Sequence, residues 1–382
     1  MVAITVKWEQ ASARRLARAG LAEPARGDVA GTVAAMAGAH AQVMSAAEYS
    51  VALRTAGAVG ADVRDALWTK RTLVKTHGPR GTVHLLPATE LPAWLGALSA
   101  LPGNANRHSA DIRLTEKQED EVVAAIGEAL ADATLTIDEL DEAVRARCGD
   151  WAADEVMPAF QGFWPRWRQA LHLAAHRGAL CFGPNRGRKV TYTSPGVSPL
   201  PGAEGLAVVV RSYLTAYGPA TPADFGKWIG GSAGSPTWAR RVFADLGDAL
   251  TEVDFEGTPA FVVSGDTEFP DEPPRGVRLL PYFDAYAVAG QPRDRLFPER
   301  AADRALNRGQ AGNFPVLLVD GVVGGVWHQK KSGRKVAITV EALGTLADEQ
   351  LTELYAQVDR LGEIIDAVPE LTLGTVSAGA HA

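Results

Sequence analysis

Apolar and polar positions follow two periods along the chain, and the switch between them recurs. In the longer period apolar residues return every three to four positions and the segment closes on glycine. Ala46–Ala56 runs to Gly57, Ile137–Cys148 to Gly149, Pro165–Arg177 to Gly178 and Pro222–Ile229 to Gly230. These segments predict helices, because a glycine past the last turn accepts the left-handed conformation that closes one. The start signals agree. Ser45-Ala-Ala-Glu48, Thr115-Glu-Lys-Gln118 and Thr136-Ile-Asp-Glu139 read as capping boxes, and Thr221-Pro-Ala-Asp224 as a looser one with proline at the first helical position. In the shorter period, Ala179–Phe182 with Lys189–Thr193 and Leu250–Asp254 with Ala260–Val263 flank glycine-containing turns and predict hairpins. Arg80–Pro87 is a further strand that follows helices.

Helices followed by a hairpin thus recur three times, in residues 1–110, 111–202 and 203–270. This is the plan of a winged helix, and the repetition says more than any one copy. The proline-rich joint Phe269-Pro-Asp-Glu-Pro-Pro274 then opens a fourth region, 271–370. Strands are expected there at Val277–Pro281, Val316–Val319, Val322–Trp327 and Lys335–Val340, with a hairpin turn at Asp320-Gly321 and a helix over Leu346–Val368. The expected fold is α+β: three tandem winged-helix units and a small C-terminal β-barrel or sheet. Residues 371–382, rich in small side chains, are expected to form a flexible tail.

Composition narrows the class. The 382 residues are 46% hydrophobic and 22% charged, ordinary for a globular protein. The two cysteines, Cys148 and Cys181, form no C-x-x-C pair, which points to a reducing compartment. The first residues lack a basic segment followed by an apolar run, and no stretch approaches the ~18 apolar residues of a membrane span, so a cytoplasmic protein is expected. The histidines are scattered. His172 and His176 share a helix face but lack an acidic companion, so a packed pair is favoured over a metal site. Neither a P-loop nor a dinucleotide fingerprint occurs; Gly230–Gly234 follows a helix and reads as a loop. No metal and no cofactor are expected. The chain lacks a heptad pattern, which favours a monomer.

The net charge of −7 hides an asymmetry. Residues 1–115 hold 13 Lys/Arg against 8 Asp/Glu, while the remainder is strongly acidic. Ala66–Thr89, Val156–Ala203 and Val322–Val340 contain no acid at all. Basic segments in an acidic chain point to one positive face, suited to a phosphate backbone. Candidate phosphate contacts are Arg80, Arg166, Arg168, Arg186, Arg188, Lys189, Lys330 and Lys331. Thr82 and His84, on one face of the predicted strand, would reach the nucleic acid nearby or pack a wing on its own helices. Trp164 and Trp167 are spaced for one helix face and read as core.

Four segments, in order, carry a family resemblance: Ala39-His-Ala-Gln-Val-Met-Ser45; Arg80-Gly-Thr-Val-His-Leu85; Leu279-Leu-Pro-Tyr-Phe-Asp-Ala-Tyr286; and Gly312-Asn-Phe314 with Val319-Asp-Gly-Val-Val-Gly324. Together they resemble the AlkZ/YcaQ family of winged-helix DNA glycosylases, over nearly the whole chain. The resemblance implies a C-shaped molecule that takes double-stranded DNA and hydrolyses the N-glycosidic bond of alkylated purines, interstrand crosslinks among them. The family's Gln-x-Gln or Gln-x-Asp motif falls at His40-Ala41-Gln42, with histidine in the first position. By this resemblance Gln42 would orient a water and His40 accept its proton or bond the substrate backbone. Read from the residues alone, both could equally order the turn before Ser45. An extended segment would point the two side chains the same way. His40 must be neutral to serve beside a cationic transition state. With the ordinary histidine value of ~6.5, activity would fade below that pH. Asp284 reads as a structural carboxylate. The alternative to an enzyme is a non-catalytic winged-helix DNA binder, such as a regulator or damage sensor.

Overall fold

The computed structural model describes residues 4–103, 108–159 and 161–381. Helices Trp8–Arg18, Val29–Ala35, Met44–Arg54 and Gly60–Trp68 precede a three-stranded sheet in which Val83–Pro87 lies between Ala39–His40 and Leu73–His77. Helix Leu91–Ser99 leads out. A second set follows: helices Glu116–Leu130, Ile137–Cys148 and Leu171–His176, with Lys189–Thr193 pairing to Thr134–Thr136 on one side and Cys181–Arg186 on the other. A third comprises helices Gly202–Tyr217, Pro222–Gly230 and Pro236–Leu246 and the hairpin Leu250–Phe255 with Thr258–Val263.

Local chemistry explains most boundaries. The capping boxes at Thr115, Thr136 and Thr221 all form, each hydroxyl accepting from the amide three residues on. The box expected at Ser45 does not. The helix begins at Met44 after an extended Val43, and the Glu48 carboxylate is drawn away to Arg64. Pro165–Arg177 is not one helix either. A two-stranded hairpin, Glu155–Pro158 with Phe163–Pro165, takes its first residue, and only Leu171–His176 is α-helical. Trp167 is fully buried and donates to Asp141, as a core residue should, but Trp164 on the hairpin is 46% exposed.

The C-terminal region corrects the expectation of a barrel. Its five strands, Val277–Leu280, Val316–Val319, Val322–Ser332, Lys335–Ala342 and Val368–Leu373, pair in chain order as an open sheet. Helix Asp348–Ile364 crosses over between the last two, so the final strand joins parallel to its neighbour and the two edges never meet. Residues 371–373, at the start of the expected tail, complete that strand, and Val376 beyond it is buried.

Two long-range closures set the arrangement. Strand Thr5–Val6 pairs in parallel with Asp254 and Phe255. Helix Trp8–Arg18 behind it joins the core of the C-terminal sheet. Its Arg15 is fully buried and donates to the carbonyls of Gln291 and Pro219, while Arg14 pairs with Asp266 at 3.0 Å. Helices Leu91–Ser99 and Gly202–Tyr217 meet backbone to backbone. A Cβ at Gly205 would stand 2.5 Å from the Ala97 amide nitrogen, so only glycine fits that crossing.

Candidate active site

His40 sits in a short extended segment locked to the strand behind it. It pairs opposite His84, and the Ala41 amide donates to the Val83 carbonyl at 2.7 Å. Ala39 and Ala41 point inward and are buried; His40 is half-buried and Gln42 exposed. His40 thus faces outward from the strand, while Gln42, past the strand's end in the bend before helix Met44–Arg54, is exposed and is not among the residues that line the cleft with His40.

His40 lines a cleft of about 630 Å³ between three parts of the chain. The first region contributes His40, Arg80 and Thr82; helix Pro222–Gly230 contributes Asp224, Lys227 and Trp228; the C-terminal region contributes Phe283, Gln291, Arg293, Arg308 and Asn313. Four cations face one carboxylate, so the cleft is positive inside an acidic protein. Arg80 donates to the Trp228 carbonyl, and Arg293 to those of Ala287 and Val288. Burial, then the neighbouring Arg293, pushes the Arg80 guanidinium down to about 10. Lys227 and Arg308 are exposed and bear no ion pair among the described residues.

The His40 ring stacks on Phe283 at 4.6 Å between centroids and stands edge-on to His84 at 5.1 Å. Its Nδ1 is buried without a hydrogen-bond partner. Burial, and secondarily Arg80, pushes its pKa down to about 4. The sequence-based expectation of a break near the ordinary histidine value is thus corrected: this imidazole stays neutral well below it.

The other expected contacts divide. Arg80 and Thr82 reach the cleft, Arg80 from the turn Pro79–Gly81 rather than a strand. His84 is buried beneath it with Nδ1 2.9 Å from the Thr82 carbonyl, so it backs His40 and offers nothing to a ligand directly. In the middle region Arg186 pairs with Glu139 at 2.6 Å and Lys189 with Asp138 at 2.7 Å. Arg166 is bound to the Asp111 carbonyl and Asp154, and Arg168 lies 6.0 Å from the Trp164 ring. Lys331 caps a helix end at the Ile365 carbonyl. Arg188 and Lys330 are exposed and outside the ion pairs of the described residues.

The sequence reading missed Phe283, Lys227, Arg293 and Arg308, although Phe283 lies in a segment it singled out. Asp284 beside it is buried and forms a two-pronged pair with Arg54, at 2.7 and 2.9 Å, while accepting from Ser50 and the Tyr286 amide. That network fastens the Leu279–Tyr286 segment to helix Met44–Arg54, next to His40. The histidines His172 and His176 pack edge-on at 5.9 Å, and no cluster fit for a metal occurs among the described residues.

A cationic cleft with a neutral imidazole at its wall suits an enzyme acting on an anionic polymer. The model of the family described as DNA glycosylase AlkZ-like matches residues 33–364, and the chain belongs to that family. An interstrand DNA cross-link repair glycosylase of Streptomyces sahachiroi is 36% identical over 347 residues, covering 84% of this chain and 87% of that protein. The solved structure of Streptomyces sahachiroi DNA glycosylase AlkZ superposes with a TM-score of 0.79 at 28% identity, covering 97% of this chain and all of that one.

Proposed function

We propose that this chain is a monofunctional glycosylase that hydrolyses the N-glycosidic bond of N7-alkylated purines in double-stranded DNA, purines joined in interstrand crosslinks included. The crosslink part draws on the name of the Streptomyces relative. In this reading 1–110, 111–202 and 203–270 are winged-helix units that curve with the C-terminal region into a C-shaped monomer around the duplex. The observation that carries it is His40, uncharged at physiological pH, on the wall of a cationic cleft.

An N7-alkylated purine is already cationic and leaves without help from an acid. Water adds to the sugar C1′ and gives up a proton to solvent, the bond to N9 breaks, and its electron pair neutralises the departing base. The sugar becomes oxocarbenium-like on the way, so the site must hold water and offer lone pairs without adding positive charge. Gln42, exposed two residues on from His40 and outside the cleft's lining, would turn in to offer an amide oxygen. His40 accepts from the water through an unprotonated nitrogen and, with so low a pKa, orients it more than it captures its proton. Lys227 is exposed, not desolvated as a Schiff-base amine would be. Of the expected contacts and the cleft's cations, Arg188, Lys330, Lys227 and Arg308 bear no ion pair among the described residues and would meet phosphates; Arg80 and Thr82 would act nearer the lesion. Arg166, Arg168, Arg186, Lys189 and Lys331 would contribute only by leaving their present partners.

The test is release of free base from N7-methylated duplex and from a crosslinked duplex. His40→Ala and Gln42→Ala should each lower it by about a hundredfold or more while duplex binding persists. Undiminished release from both variants would overturn the assignment.

A further inference from the structure

A catalytic histidine is ordinarily oriented by a hydrogen bond to its second nitrogen. His40 makes none among the described residues, and its Nδ1 is sealed off without a partner. Its orientation is left to packing, above all to the stacked ring of Phe283, 27° from parallel.

Phe283 holds an unusual conformation. Its φ of 56° is left-handed, which aromatic residues rarely adopt and which survives only where the surroundings over-determine it. They do so here. The Phe283 amide donates to the Gly312 carbonyl at 2.8 Å, and Asp284 is fixed by the buried Arg54 pair. Gly312, at φ 100°, leaves room for no Cβ, which would stand 2.9 Å from Val288 and 3.1 Å from the Phe283 ring.

The end of the described chain completes the clamp. After strand Val368–Leu373 the Val376 amide donates to Glu341 at 2.7 Å, and its carbonyl accepts from Arg304 at 2.7 Å. The His381 amide then donates to the carbonyl of Asn313, a cleft residue, at 2.8 Å. The His381 ring stands edge-on to Phe283 at 5.4 Å and to Tyr282 at 5.1 Å.

We propose that Phe283 is a positioning residue for His40, and that the segment 376–381 is a working wall of the site that keeps Phe283 in place. The proposal rests on the reading of His40 given above. The charged or titratable groups facing His40 are Arg80, from the turn Pro79–Gly81, and His84, from strand Val83–Pro87; His381 lies beyond Phe283. Across the cleft stand one carboxylate, Asp224, and the cations Lys227, Arg293 and Arg308, while Asp284 beside Phe283 is held by Arg54. Removing the aromatic ring admits water to the imidazole and loosens it.

The experiment uses the full chain with labelled histidine, following the His40 ring by NMR titration alongside single-turnover base release and duplex affinity. In Phe283→Leu, His40 should titrate about one pH unit higher or more. The rate should fall about tenfold or further with duplex affinity unchanged. Phe283→Tyr should restore both. His381→Ala, and a chain shortened after Gly374, should shift both in the same direction by less. An unmoved His40 titration in Phe283→Leu and in the shortened chain would overturn the proposal, as would a rate loss explained wholly by weaker duplex binding. Should His40→Ala retain base release, the catalytic reading fails, while the titration still decides whether Phe283 and the tail hold the ring.

Discussion

At the scale of single residues, burial sets what His40 and Asp284 can do. Because desolvation and Arg80 hold the His40 pKa to about 4, base release should stay level from neutral pH through the ordinary histidine range of about 6.5 and decline only as pH nears the lower value. A pH–rate profile that breaks in the ordinary range would show a solvated imidazole instead. Asp284 is fixed by pairing rather than by packing. The Arg54–Asp284 pair has both side chains fully buried, so Asp284→Asn leaves a guanidinium uncompensated. We expect a loss of about 3–5 kcal/mol in urea unfolding. The double change Arg54→Met with Asp284→Asn should recover part of it; equal losses in both variants would mean the pair's charges do not matter.

Among the elements, those governed by local chemistry were legible in the sequence and those governed by distant partners were not. Ile137–Cys148 was bounded correctly at both ends, because Thr136 and Gly149 are its own caps. Thr136→Ala should therefore cost about 1 kcal/mol, read as a lowered unfolding midpoint. Ser45 carried the same signature and failed because Glu48 had a better partner sixteen residues away, in Arg64. Trp164 looked like core by its spacing from Trp167, but a hairpin rather than a helix carries it. The strands suggested a barrel or a sheet and the family resemblance a barrel; a sequence gives no sign that the last strand enters parallel after a helix. His40 could be placed in the cleft from its motif, whereas Lys227, Arg293 and Arg308 could not, since only tertiary folding brings their segments together there. The basic stretches were visible, yet the acids that neutralise them lie outside those stretches, as Glu139 does for Arg186. Arg188→Ala and Lys330→Ala should each reduce the slope of log affinity against log salt by about one. Lys331→Ala, whose amine caps a helix, should leave it nearly unchanged; equal slopes in all three would remove the distinction.

For the whole molecule, buried neutral histidines make acid the weak point. His84 and His176 are both buried and held far below the ordinary value, His176 at about 3, chiefly by desolvation. Their neutral forms belong to the fold, and below about pH 6.5 the unfolded chain takes up protons that the folded one refuses. Stability is therefore fully present above that pH and drains away as pH falls towards the folded values, by up to about 1.4 kcal/mol per pH unit for each such group. His176 lies at the seam between the first two regions, its carbonyl accepting from Ser99. His176→Asn should flatten the urea midpoint measured between neutral and mildly acidic pH; an unchanged pH dependence would clear this histidine of the effect.

Strand Thr5–Val6 and the helix behind it find their partners some 250 residues later, at Asp254, Asp266 and Gln291. During synthesis at roughly 5–20 residues per second, that opening segment must wait on the order of ten seconds or longer outside the ribosome. Its two most deeply placed cations, Arg14 and Arg15, are buried in the folded chain against partners that are made that much later. Helix Trp8–Arg18 is thus translated some 250 residues ahead of its partners and docks only after them, so a substitution that hinders its return would act on the far end of the chain.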